Sequence, residues 1–79
     1  MPHQITMPKT GHIEDEATVY EWHKRVGDRV EVGDVVLTVE TQKAVLEVES
    51  FVSGVLVSIL IPEGETVAVG TVLALVEDA

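Results

Sequence analysis

The sequence predicts an all-β domain, a sandwich or barrel of short strands, on three observations. Valine is the commonest residue, and β-branched side chains fit a pleated surface better than a helix. Glycine–acid pairs punctuate the chain at Gly27-Asp28, Gly33-Asp34 and Gly64-Glu65, with Gly54 and Gly70 at similar junctions and short alternating runs between them. The stretch RVGDRVEVGDVVLTVE (25–40) also overlies PEGETVAVGTVLALVE (62–77) at a constant offset of 37 residues. Gly27, Val30, Val32, Gly33, Val35, Val39 and Glu40 thereby meet Gly64, Val67, Val69, Gly70, Val72, Val76 and Glu77, and the offset extends back to Val19/Leu56 and Trp22/Ile59. Two copies are too few for a solenoid, which needs about three or more. They imply a pseudo-two-fold domain of two sheets, each half contributing four strands.

The first strand, 3–7, stops at Pro8, where a missing N–H costs least. The second, 18–23, carries Trp22, the single tryptophan, expected to fill the core as its one large aromatic anchor. A short third strand, 29–31, fits between two glycine–aspartate turns. The fourth and fifth, 35–41 and 44–49, form a hairpin. The sixth, 55–61, ends at Pro62, and 66–68 and 72–77 complete the set.

The hairpin raises the main question. Mirroring about the 42–43 peptide sets Val39 opposite Leu46, Leu37 opposite Val48, Thr38 opposite Glu47 and Glu40 opposite Val45. One face is then apolar and the other mainly polar, so a one-residue slip would reverse the facing and the register is pinned. A two-residue hairpin turn ordinarily uses Asn-Gly, Asp-Gly or Gly-X, because its central residues need positive φ. Gln42 and Lys43 do not supply that freedom. Under the offset, Lys43 falls at the pseudo-symmetric extremity, which places the lysine turn at one end of the molecule and both termini at the other. An exposed turn lysine is ordinarily just solvated charge, but the rest of the chain offers no other chemistry.

With 79 residues the chain is expected to be a single domain, 1–79, and 46% hydrophobic composition gives it a core. A chain of this size buries only about 60–65% of its unfolded surface. There is no cysteine, hence no disulfide framework, thiolate metal site or thiol nucleophile, which fits a reducing compartment. Five Lys+Arg against fourteen Asp+Glu give a net charge of −9, which repels nucleic acid and anionic membranes and favours partners with basic patches. The run 55–61 is broken by Ser58 and falls far short of a membrane span of about 20 residues, and the N-terminus shows no targeting segment. His3, His12 and His23 have no ligand spacing, so no metal is expected. No Ser/His/Asp set or phosphate-cradling glycine loop can be assembled, so no catalytic residues are expected. The acidic run Glu14-Asp15-Glu16 reads as a solvated loop.

Taken in order, these landmarks resemble a lipoyl domain of the 2-oxo acid dehydrogenase complexes, within the biotinyl/lipoyl-attachment family. The resemblance runs from Ile5 to Glu77. MPKTG (7–11) matches the family's Met/Leu-Pro-x-x-Gly opening, and VYEWHKRVGDRVEVGDVVLTVET (19–41) matches its central segment with Trp22. TQKA (41–44) occupies the place of the Asp-Lys-Ala motif, with Gly27 sixteen positions before Lys43 and Gly54 eleven after. Two departures stand out. Gln42 replaces the aspartate and removes a carboxylate from the turn, and Ala17 in EATV stands where the family has Glu-Gly-Thr.

The resemblance implies a flattened barrel of two four-stranded sheets, a barrel-sandwich hybrid. It also implies lipoic acid joined to Lys43 by an amide, on a non-catalytic swinging-arm carrier domain. A thiamine-dependent 2-oxo acid decarboxylase would acylate the arm, an acyltransferase domain would pass the acyl group to coenzyme A, and dihydrolipoamide dehydrogenase would reoxidise it. A lipoate ligase or lipoyl transferase would attach it. Recognition is expected around Glu40, Thr41, Gln42, Ala44 and Gly54, and at the loop 8–13 running into Glu14, Asp15 and Glu16, which in the family lies beside the lysine turn. The domain is expected to be monomeric and N-terminal in a longer acyltransferase chain, in the cytoplasm of a bacterium or archaeon or in a mitochondrial matrix. The nearest rival is a biotin carrier, but such domains flank the lysine with methionines, whereas Gln42 and Ala44 flank it here. An unmodified barrel-sandwich adaptor is the alternative from another class, and a free-standing enzyme is more distant.

Overall fold

The alternating runs resolve into eight strands: β1 His3–Thr6, β2 Glu16–Trp22, β3 Arg29–Val30, β4 Val35–Glu40, β5 Val45–Glu49, β6 Gly54–Ile59, β7 Thr66–Ala68 and β8 Val72–Glu77. The structure, a computed structural model, describes residues 2–11 and 13–78. All eight predicted strands are present, with ends displaced by at most two residues. The largest displacement at a strand start is in β2, because Glu16 and Ala17 pair with Ala68 and Val67 of β7 before Thr18 is reached.

The strands form two antiparallel sheets, ordered β1-β8-β6-β3 and β5-β4-β2-β7. The 37-residue offset carries β2, β3 and β4 onto β6, β7 and β8, and β5 and β1 take equivalent edge places beside β4 and β8, so the internal repeat is an architectural two-fold. Even the irregularities obey it. Tyr20 is the extra residue between β2 and β4, and Val57 is its counterpart between β6 and β8. Val36 in the β4–β5 ladder and Leu73 in the β1–β8 ladder are a second equivalent pair. Bulges of this kind add local twist and let a short sheet curl over a core.

The turns repeat as well. Gly27 and Gly64 have φ of 97° and 93°, a region where a Cβ is costly. Their N–H groups donate to the carbonyls of Leu56 and Val19, each at 2.7 Å, so each half's turn is tied to the other half's strand. Asp28 and Glu65 follow these glycines and accept, through their backbone carbonyls, the N–H groups of Leu56 and Val19. Gly27-Asp28 and Gly64-Glu65 are thus the clasps between the two repeats, while Gly33-Asp34 bonds to Ser50 at the base of its own hairpin.

Between the sheets lies one core of Ile5, Met7, Ile13, Val19, Val30, Val36, Leu37, Val39, Leu56, Leu73 and Val76 with smaller neighbours. Each fully buried leucine or isoleucine contributes about 1.5–3 kcal/mol. Trp22 is not in this centre. It is half-buried at the rim, its Nε1–H donating to the carbonyl of Ile61 at 3.0 Å and its backbone N–H to Glu63 Oε2 at 2.9 Å. The expectation of a tryptophan-filled core fails because an indole between two closely spaced valine-lined sheets would leave its N–H without a partner, and the rim supplies one.

The expected polar face of β4 is also not fully solvated: Thr38 is buried, and its Oγ1 is 2.6 Å from His23 Nε2. The first and last strands meet at one end, where His3 pairs with Val76 and its Nε2 lies 3.0 Å from Asp78 Oδ1. The base of the β4–β5 hairpin lies toward that same end, through Gly33 to Ser50, Val30 to Gly54 and Val55 to Glu77. Its tip therefore points the other way.

Candidate functional site

The hairpin register is the one the sequence predicts: Leu37–Val48, Thr38–Glu47, Val39–Leu46 and Glu40–Val45. Leu37 and Val39 are fully buried and anchor the base, so the tip 41–44 is carried on a rigid support. At the tip, Gln42 and Lys43 are exposed while Thr41 and Ala44 are half-buried.

The turn is made without positive φ, since no non-glycine residue among the described ones adopts it. Thr41 replaces that device. Its backbone N–H donates to the carbonyl of Ala44 at 2.8 Å, which closes the ladder. Its Oγ1 accepts the N–H of Lys43 at 3.2 Å and the N–H of Ala44 at 3.1 Å, and donates to the Ala44 carbonyl at 3.3 Å. Hydroxyl-capped turns of this type do not need a glycine. The backbone of Lys43 is therefore held while its side chain projects freely, and among the described residues its amine enters no ion pair or hydrogen bond.

Antiparallel pairing brings the start of β2 beside the end of β4, with Thr18 opposite Glu40. The acidic run that leads into β2 consequently meets the hairpin tip. Glu14, Asp15 and Glu16 form one wall of an open groove, Glu40, Thr41, Gln42 and Lys43 the other, and Ala17 and Thr18 its floor. Glu14, Asp15, Glu16 and Glu40 are all exposed, so the groove that Lys43 lines carries four carboxylates. The segment before them is held by Ile13, which is fully buried and exchanges backbone bonds with Thr10. Position 12, within the predicted recognition loop, lies outside the described residues, and so does any reading of His12.

The structure separates Gly54 from this group. Gly54 pairs with Val30 and abuts the backbone of Glu77, at the end of the molecule away from the lysine, because β5 and the connection 50–53 carry the chain back along the hairpin. Its spacing after Lys43 reflects close packing of two strands, not a place at the turn. Ala44 belongs to the turn but does not line the groove. Gly11, within the expected recognition loop, lines it, and so do Thr18 and Thr66, which were not singled out from the sequence. The β2–β7 pairing, where the Oγ1 atoms of Thr18 and Thr66 lie 2.7 Å apart, brings the latter two in.

Residues 3–76 match the biotin/lipoyl family model, described as "Biotin-requiring enzyme". The chain is 33% identical to the solved lipoyl domain of the 2-oxoglutarate dehydrogenase complex of Azotobacter vinelandii, with a TM-score of 0.72, covering 95% of this chain and 99% of that one. The chain belongs to the biotin/lipoyl family as a lipoyl domain. A segment of the urea carboxylase of Kluyveromyces lactis superimposes more closely, at a TM-score of 0.81, but at 25% identity over 98% of this chain and 6% of that one. Backbone similarity is shared across the family, so sequence likeness separates its branches better.

Sequence favours the lipoyl branch. The acetyltransferase component of the Corynebacterium glutamicum pyruvate dehydrogenase complex is 44% identical over 75 residues, covering 95% of this chain. The lipoyl domain spans only 11% of that relative's length, and 17% to 19% of comparable components of other 2-oxo acid dehydrogenase and acetoin-cleaving systems. The matched region is the non-catalytic carrier part of such chains.

Proposed function

We propose that this lipoyl domain is a swinging-arm carrier whose arm is attached at Lys43 through an amide. The observation behind it is the exposed, unengaged amine at the apex of a turn whose backbone is fixed on both sides. A single primary amine projecting from a rigid hairpin suits one amide bond to a carboxylic acid cofactor. When bound, the lipoyl group supplies the disulfide sulfur that this cysteine-free chain lacks, and with it the capacity to accept and hand on acyl groups.

The chain's own residues hold the attachment point and leave space around it. Thr41 fixes the backbone of Lys43, and the Val39–Leu46 and Leu37–Val48 pairs fix the hairpin. His3 and Asp78 meet at the opposite end, so a linker running from there would leave the arm unobstructed. Such a linker raises the effective concentration of the arm at each successive active site. The domain is read as the N-terminal carrier of a longer acyltransferase chain, its partners being a thiamine-dependent decarboxylase, the acyltransferase domain, dihydrolipoamide dehydrogenase and a lipoate ligase. The wall of Glu14, Asp15 and Glu16 together with Glu40 fits a decarboxylase or ligase with a basic rim.

The test is acylation of the lipoylated domain by purified decarboxylases supplied with labelled pyruvate, 2-oxoglutarate, branched-chain 2-oxo acids or acetoin. Label on the domain with one of these, lost in Lys43→Arg, supports the reading and names the substrate. No label with any of them contradicts it. A triple Glu14→Gln, Asp15→Asn, Glu16→Gln variant is expected to lower the acylation rate with a weakened salt dependence.

A further inference from the structure

We infer that Thr41 is a positioning residue for the modification of Lys43, acting through its hydroxyl, and that residue 42 has no part in shaping the turn. The inference rests on Lys43 being the attachment site. A four-residue turn ordinarily closes with the carbonyl of its first residue accepting the N–H of its fourth. Here the Ala44 N–H goes to Thr41 Oγ1 at 3.1 Å, and the Lys43 N–H joins it at 3.2 Å. The same hydroxyl donates to the Ala44 carbonyl at 3.3 Å. One oxygen thus accepts the amide N–H of the lysine and of the residue after it, and donates its own hydrogen to the Ala44 carbonyl.

Gln42, by contrast, is exposed and makes no hydrogen bond or ion pair among the described residues. The turn also contains no glycine and no positive φ that would define it in the hydroxyl's absence. Without Oγ1, two amides at the apex turn to water and the tip samples other shapes on an unchanged base. An enzyme that reads the lysine by its position on the hairpin then meets the competent tip in only a fraction of molecules. Its apparent affinity falls by that fraction while turnover of the bound complex does not. The role therefore predicts a change in KM and not in kcat.

The experiment measures lipoylation by a lipoate ligase with ATP and lipoic acid, following kcat and KM for the domain as the varied substrate. The variants are Thr41→Val, which keeps the shape and loses the hydroxyl, Thr41→Ser, which keeps the hydroxyl, Gln42→Asp, and Lys43→Arg. Circular dichroism and amide exchange by NMR are recorded on each. For Thr41→Val the expected result is about a tenfold rise in KM at unchanged kcat, equivalent to about 1.4 kcal/mol. Exchange should be faster at the Lys43 and Ala44 amides and unchanged in β4 and β5. Thr41→Ser should restore both, and Gln42→Asp should leave the two amides as protected as in the native chain. A KM for Thr41→Val within twofold of native, or a Thr41→Ser variant as impaired as Thr41→Val, overturns the inference while leaving the attachment site standing. A native chain that takes no lipoyl group, or a Lys43→Arg chain that does, overturns the attachment reading itself.

Discussion

Replacing Gly54 by alanine would drive a methyl group into the backbone of the neighbouring strand. The added Cβ would overlap the carbonyl oxygen of Glu77, stand 2.9 Å from its carbonyl carbon and 3.0 Å from Val76 Cγ1. Ordinary contact begins near 3.4 Å, and the first two atoms are main chain, so no side-chain rotation relieves the overlap. β6 and β8 must move apart where Val55 faces Glu77. Overpacking against a fixed neighbour costs about 1–3 kcal/mol, here at the upper end, and a disrupted ladder bond adds about 1 kcal/mol. The expected loss is about 3–4 kcal/mol, against a total of about 4–12 kcal/mol for a domain of 79 residues. In thermal unfolding followed by far-UV circular dichroism that is a fall in Tm of about 12–30 °C. Gly11→Ala is the control, because nothing lies within 4 Å of its Cβ position, and it should stay within about 0.5 kcal/mol of native. If Gly54→Ala lost less than about 1 kcal/mol, or matched Gly11→Ala, the close approach of the two strands would be refuted.

Gly27→Ala and Gly64→Ala occupy equivalent positive-φ turns, so each should cost about 1–2 kcal/mol in urea denaturation. Losses differing by more than about 1 kcal/mol would contradict the two-fold equivalence. Lys43→Ala should leave stability within about 0.5 kcal/mol, because the residue is exposed and its side chain makes no hydrogen bond or ion pair among the described residues; a large loss would make the turn structural. Glu31 accepts a hydrogen bond from Arg29 at 2.6 Å, and this bond, the guanidinium charge and the Ser53 hydroxyl hold its carboxyl below the usual carboxylate range. Its folded pKa being depressed, the associated stability is complete at neutral pH and is lost as pH falls through the ordinary carboxylate range to the lowered folded value. NMR titration should show Glu31 ionising at lower pH than in Arg29→Gln, and an unchanged midpoint would contradict that cause.

Much of the fold is legible because the repeat is strong. The offset that aligns Gly27 with Gly64 fixes the equivalence of the two sheets, and β-hairpin symmetry fixes the Val39–Leu46 register. The bulges at Tyr20, Val36, Val57 and Leu73 were not legible, since an extra residue in a valine-rich run changes no period over so few positions. Trp22 was misplaced because a residue count does not reveal how narrow the space between sheets is, nor that the Ile61 carbonyl waits at the rim. Of the candidate site, Lys43 stands out in the sequence by its turn and its place in the repeat, and the acidic run is set beside it by the family resemblance. Gly54 was wrongly joined to the turn, since spacing in sequence gives no direction in space, and Thr18 and Thr66 were missed because their neighbourhood depends on the β2–β7 pairing. The puzzle of a turn without glycine also had its answer one residue upstream, in the hydroxyl of Thr41.

The most direct test of the central claim is the intact mass of the chain after incubation with a lipoate ligase, ATP and lipoic acid, beside Lys43→Arg. The account predicts one lipoyl adduct on the native chain and none on the variant. A folded native chain without an adduct, or an adduct that persists in Lys43→Arg, would contradict it.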